Sequence, residues 1–147
     1  MMNKHARLWI ALFFCLLVAD RLLKWAALGG RRVLAWPGTL TFELFKNTGI
    51  AFSLPFSGPL VWLLSVAILA AVCLMGVRDF QAKRYDRTEA ICLFVLGACS
   101  NLFDRVAYGF TVDYFIFFNR SAVNVADGMI VAGALWLIFK TKAPAAK

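Results

Sequence analysis

Gly58-Pro59-Leu60-Val61-Trp62-Leu63-Leu64-Ser65-Val66-Ala67-Ile68-Leu69-Ala70-Ala71-Val72-Cys73-Leu74-Met75-Gly76-Val77 contains no charged side chain. As an α-helix rising ~1.5 Å per residue, this stretch is about 30 Å long, the thickness of a bilayer's hydrocarbon core. Three more apolar runs lie around it, near residues 8–27, 88–106 and 122–139. The fold expected is therefore a mainly α membrane protein with four transmembrane helices, forming a single domain over residues 1–147.

Composition agrees. The chain is 62% hydrophobic with a mean hydropathy of +0.74, against roughly 45–50% apolar residues in soluble proteins. The net charge of +8 does not form a nucleic-acid patch, because the basic residues fall in clusters between the apolar runs. Such clusters set membrane orientation. Lys4 and Arg7, then Arg78, Lys83, Arg84 and Arg87, then Lys140, Lys142 and Lys147 share one side, which places both termini in the cytoplasm. Arg31, Arg32, Lys46 and Arg120 fall on the opposite side.

The first run resembles a signal peptide in having Lys4 and Arg7 ahead of a Leu/Phe-rich stretch. Asp20, Arg21 and Lys24 follow it, however, without a small-x-small cleavage site, so it reads as a retained helix. Cys15, Cys73, Cys92 and Cys99 lie in apolar stretches without a CxxC pair and read as small buried apolar residues. His5 is the only histidine, so neither a His-activated nucleophile nor a His-rich metal site is expected.

Between the first two spans, Pro37-Gly38 opens a turn and Thr39-Leu40-Thr41-Phe42-Glu43-Leu44-Phe45 alternates as a strand does. Asn47-Thr48-Gly49 breaks the run, and Ala51-Phe52-Ser53 continues it. A small strand-containing extracytoplasmic segment is expected here. Residues 108–121 are rich in aromatics (Tyr108, Phe110, Tyr114, Phe115, Phe117, Phe118), as suits a loop at the headgroup level.

Asp113 and Asp127 stand in apolar surroundings with no basic neighbour in sequence. An ionised carboxylate is costly in such a place and marks function. Two that meet can share one proton, which is aspartic-protease chemistry. Counting from the cytoplasmic ends of their helices, Asp127 lies about 18 Å up, Asp20 about 20 Å and Asp104 about 24 Å. All three fall in the outer half of the membrane, and Asp113 meets them from the outer loop. Gly97, Asn101 and Asp104 form a stripe along the third span with Ser100 beside it; Asn124 and Asp127 are i, i+3 neighbours on the fourth. Asp104 beside Arg105, and Asp20 four residues before Lys24, read as paired, orienting carboxylates. Glu43, Asp79, Asp86 and Glu89 read as solvated charges.

These motifs, in this order, resemble the type II (lipoprotein) signal peptidase family along nearly the whole chain. The family's Asp-Gln-x-Ser/Thr-Lys is similar to Asp20-Arg21-Leu22-Leu23-Lys24, and its Asn-x-Gly-x-Ala-Phe-Ser stands as Asn47-Thr48-Gly49-Ile50-Ala51-Phe52-Ser53. Its Gly-Asn-x-x-Asp-Arg resembles Ser100-Asn101-Leu102-Phe103-Asp104-Arg105. Its Val-Val-Asp-Phe is like Thr111-Val112-Asp113-Tyr114, and its Phe-Asn-x-Ala-Asp like Val123-Asn124-Val125-Ala126-Asp127. Arg21, Leu23, Leu96, Ser100, Val123 and Gly128 depart from the usual residues.

The resemblance implies a bacterial inner-membrane aspartyl endopeptidase, monomeric and without metal or cofactor, whose active site lies near the outer leaflet. Its implied partners are membrane lipids and a prolipoprotein substrate carrying a diacylglyceryl-cysteine at the lipobox; nucleic acid is not among them. Asp113 and Asp127 would be catalytic; Asn47, Gly49, Asn101, Asp104, Arg105 and Asn124 would shape the site and hold substrate; Asp20, Lys24 and Gly97 would support the fold. Two rival readings stand beside this one. A small proton-coupled transporter needs polar residues through the full membrane depth, and the inner halves of spans two and four are almost uncharged. A non-catalytic lipid- or peptide-binding paralogue needs the same groove, so mutation rather than sequence separates it from the enzyme.

Overall fold

A computed structural model describes residues 4–36, 38–49 and 59–141. In chain order these form α1 (Lys4–Leu28), β1 (Val33–Trp36), β2 (Leu40–Asn47), α2 (Pro59–Gln81), α3 (Tyr85–Tyr108), β3 (Thr111–Phe117), β4 (Ser121–Val123) and α4 (Val125–Thr141). The first and third apolar runs lie within α1 and α3, and the described part of the second within α2; the fourth, expected from residue 122, is corrected at its start, because Ala122 and Val123 belong to β4 and the helix begins at Val125. The expected continuation of the strand through Ala51-Phe52-Ser53 lies outside the described residues.

Two of the helical segments, Trp62–Gln81 and Tyr85–Tyr108, are long and apolar enough to cross a membrane. Leu63, Val66, Ile68, Leu74 and Val77 of α2 are all exposed. A helix that is apolar on its outer surface suits lipid rather than water. α1 carries Asp20, Arg21 and Lys24 in its last third, and the apolar stretch of α4 is the shorter Val125–Phe139. The four cysteines are exposed on the helix surfaces rather than buried, which corrects the sequence reading.

The four strands make one antiparallel sheet in the order β1-β2-β3-β4. The expected strand segment between the first two helices is therefore only half of it, and the aromatic segment after α3 supplies the rest. That segment did not read as strand because Thr111 to Tyr114 are buried on both faces, which erases the two-residue alternation. Gly109 turns the chain out of α3 in the left-handed conformation (φ 81°), and its N–H bonds Arg105 O. Phe118 and Asn119 are both left-handed and close the β3–β4 hairpin.

Two apolar clusters hold these layers together. Phe13, Leu93 and Met129 join α1, α3 and α4, with Trp9 and Trp136 stacked beside them, ring centroids 4.9 Å apart. Ala27, Val112 and Tyr114, with Leu23, Phe42 and Leu44 against them, seat the sheet on the end of α1. Leu23, polar in the usual motif, thus serves as sheet-facing core. At the opposite end of α2 and α3, Asp79 is buried and pairs with Arg87 (2.8 Å) and Arg84 (3.4 Å), bracing the turn. The solvated role expected for Asp79 is therefore corrected.

Candidate active site

Where α3, β3 and the first turn of α4 meet, the polar residues of five separate elements converge. The α4 N-terminus sets the arrangement. Asn124 precedes the helix and its Oδ1 accepts the Asp127 N–H (2.8 Å), while Asp127 Oδ2 accepts the Asn124 N–H (3.1 Å). This reciprocal exchange is a capping box, here made with Asn and Asp. It satisfies two backbone donors and fixes Asp127 at the head of the helix.

The Asn124 amide reaches the other way, donating to Asp113 Oδ1 at 2.6 Å. One asparagine therefore bridges the two aspartates picked from sequence. Each aspartate has a second amide partner: Asn47 donates to Asp113 Oδ2 (2.9 Å) and Asn101 to Asp127 Oδ1 (2.8 Å). β2 delivers Asn47, which pairs with Thr111 across the β2–β3 ladder. Asp113 is fully buried, and neither aspartate forms an ion pair among the described residues.

Burial pushes the Asp113 carboxyl up to about 7; the negative charge of Asp127 adds to this, while the Asn47 and Asn124 amides and the Lys24 charge oppose it. The Tyr114 phenol is held above its usual range, first by burial and then by the Asp20 charge. A carboxyl that still holds a proton near neutral pH can act as an acid, and a second carboxylate one asparagine away can act as a base.

Below this pair lies a charged group with both carboxylates at 0% exposure. Lys24 Nζ contacts Asp20 Oδ2 (3.1 Å), Asp104 Oδ2 (2.8 Å) and Asn101 Oδ1 (2.8 Å). Arg21 Nη2 contacts Asp104 Oδ1 (2.8 Å) and Asp20 Oδ2 (3.3 Å). Ser100 donates to Asp20 (2.5 Å). The Tyr114 hydroxyl donates to Asp20 (3.0 Å) and accepts the Val125 N–H (2.9 Å).

The expected pairing of Asp104 with Arg105 is corrected, because successive helical residues point about 100° apart. Arg105 turns instead to Ser65 Oγ (3.0 Å) and the Gly49 carbonyl (3.3 Å). Arg21, Ser100 and Tyr114 were not singled out as site residues. Arg21 read as one of the charges that follow the first apolar run and Ser100 as a neighbour of the polar stripe, both also as departures from a motif, and Tyr114 read as an interfacial aromatic.

Gly97 is the close-approach point of α3 and α4. A Cβ there would lie 2.5 Å from the Ala126 carbonyl and 3.0 Å from Met129 Cβ. Gly97→Ala is expected to push α4 away at the residue beside Asp127 and to cost about 1–3 kcal/mol. Thermal unfolding in detergent checks this: an unchanged midpoint would show that the helices do not need the glycine.

Comparison with known proteins gives the family and the fold. The signal peptidase (SPase) II family profile matches residues 12–142. The chain is 33% identical over 143 residues to the lipoprotein signal peptidase of Trichormus variabilis, covering 92% of this chain and 89% of that one. It is 34% identical over 142 residues to the lipoprotein signal peptidase of Ectopseudomonas mendocina, covering 88% and 84%. In fold it is similar to a bacterial membrane enzyme solved by the in meso method at 2.3 Å. The TM-score is 0.74 at 20% identity, covering 95% of this chain and 93% of that one.

Proposed function

Because the chain belongs to the signal peptidase II family, we propose that it is a membrane aspartyl endopeptidase that removes the signal peptide from diacylglyceryl-modified prolipoproteins at the lipobox cysteine. Asp113 and Asp127 are the reacting pair in this reading. The observation that carries it is the Asn124 bridge, which joins the fully buried Asp113 to the half-buried Asp127, neither of which forms an ion pair among the described residues.

Asp127 serves as the base. It takes a proton from water as the water oxygen attacks the scissile carbonyl carbon, and Asp113 donates its proton to the carbonyl oxygen. When the tetrahedral intermediate collapses, the C–N bond breaks and Asp127 returns its proton to the leaving nitrogen. Asp113 recovers its own from the gem-diol hydroxyl, so both groups end as they began. Arg105 and Gly49 hold the substrate backbone. All four helices span the bacterial inner membrane with both termini inside, and the sheet lies at the outer leaflet. The substrate's acyl chains then confine the scissile bond near the carboxylates and supply effective concentration.

Cleavage of a diacylglyceryl prolipoprotein in detergent, followed by gel shift with and without chelator, tests the assignment. A folded wild type that binds this substrate without cutting it is the binding paralogue instead.

Asn47→Ala removes an amide that holds the Asp113 value down. The alkaline limb of the pH–rate profile, which requires protonated Asp113, is then expected to move upward from about 7. kcat is expected to fall on the order of ten-fold. A limb that stays in place with normal kcat removes Asn47 from the site.

A further inference from the structure

The two aspartates sit on different elements, yet each is held by the same device. The peptide N–H one residue before Asp113, that of Val112, donates to Asp104 Oδ2 (3.2 Å). The N–H one residue before Asp127, that of Ala126, donates to Asp20 Oδ1 (3.2 Å). Asp20 and Asp104 therefore grip β3 and α4 directly behind the reacting groups, and they are tied to each other by cations. Lys24 touches both and is itself buried (2% exposed).

One ammonium cannot balance two carboxylates that are wholly out of water. The second positive charge comes from Arg21, whose guanidinium also spans both carboxylates and lies over the Phe103 ring, 5.3 Å from its centroid. Two carboxylates and two cations leave the group neutral.

We propose that Arg21 is a positioning residue for catalysis, completing a neutral Asp20–Arg21–Lys24–Asp104 brace that sets the spacing of Asp113 and Asp127 through the Val112 and Ala126 N–H groups. This rests on Asp113 and Asp127 being the reacting pair. The charged and titratable groups facing the pair are Asp20, Arg21 and Lys24 from α1, Asp104 and Arg105 from α3, Tyr114 from β3, and no others among the contacts described. Loss of the guanidinium leaves this set one charge more negative. A nearby negative charge favours the protonated form of a carboxyl, so the pH optimum moves upward. The loosened grip on two peptides lowers turnover without removing any group that touches substrate.

The experiment compares wild type, Arg21→Gln and Arg21→Lys in detergent, reading kcat, KM, the pH optimum and the thermal midpoint. Arg21→Gln is expected to lower kcat on the order of ten-fold with KM nearly unchanged, and to raise the pH optimum. Arg21→Lys, which keeps the charge, is expected to restore the wild-type optimum and only part of kcat. A folded Arg21→Gln protein with the wild-type optimum and kcat overturns the proposal. If Arg21→Gln does not fold, the Lys variant decides: an optimum displaced from wild type overturns the proposal, and one unchanged with reduced kcat supports it. Failure of the wild type to cleave at all counts against the peptidase assignment, and then thermal midpoints decide the brace. Equal midpoints for wild type and Arg21→Gln would sink it, and a lower one for Gln but not Lys would support it.

Discussion

Asp127→Asn and Asp113→Asn are each expected to reduce prolipoprotein cleavage on the order of 10³–10⁴-fold, while the substrate still binds. In the first variant no group is left to take the proton from water; in the second none can give one to the carbonyl oxygen. Each substitution also turns one side-chain oxygen into an NH2 facing an amide donor, because both oxygens of both carboxylates already accept N–H bonds. That mismatch costs about 1–3 kcal/mol, so the folded fraction must be measured beside the rate.

The pH dependence of stability tests the protonation of Asp113. The folded Asp113 value of about 7 lies above the usual aspartate value of 3.8. Below 3.8 both the folded and unfolded states hold the proton, and Asp113 contributes no slope. Between 3.8 and about 7 the unfolded chain releases the proton while the folded chain keeps it, so wild-type stability declines as pH rises through this window. Asp113→Asn removes that decline. A thermal-midpoint series from pH 4 to 8 with the same slope in wild type and Asp113→Asn would count against a protonated Asp113.

The second large effect is at Lys24. Lys24→Met leaves Asp20 and Asp104, both fully buried, with Arg21 as their only cationic contact among the described residues. Breaking a buried pair in this way costs roughly 3–5 kcal/mol. Asn101 also loses the donor that holds its carbonyl oxygen toward α1 and its NH2 toward Asp127 (2.8 Å on each side). Stability and turnover are therefore both expected to collapse. A Lys24→Met protein that melts with the wild type would mean the buried charges are compensated elsewhere.

The helices were legible because an apolar run of bilayer length has few other fates, and α2 shows this most clearly. Asp113 and Asp127 were legible because uncompensated carboxylates in apolar sequence are rare. Long-range partnership was not. Lys24 was assigned its i+4 neighbour Asp20, correctly, but its contact with Asp104 joins residues on different helices and leaves no local trace. Asn124 and Asp127 were read as neighbours on one face, although Asn-x-x-Asp ahead of an apolar run also carries the spacing of a helix-start signal. The β3 strand was hidden by burial on both of its faces. Ser100 and Arg21 looked like blemishes in a motif until their contacts with Asp20 gave them work.

The neutral brace also constrains how the protein is made. Arg21 and its carboxylate partner Asp104 are 83 residues apart. At about 5–20 residues per second, Asp104 emerges from the ribosome roughly 4–17 s after Arg21. During that interval the first helix carries Asp20 and Lys24, which can neutralise each other, and a guanidinium with no second carboxylate. The positive charge of Arg21 thus has no partner on the third helix until Asp104 has been made. Charge balance in the first helix is therefore completed only by packing against the third, which ties neutralisation of α1 to assembly of the brace.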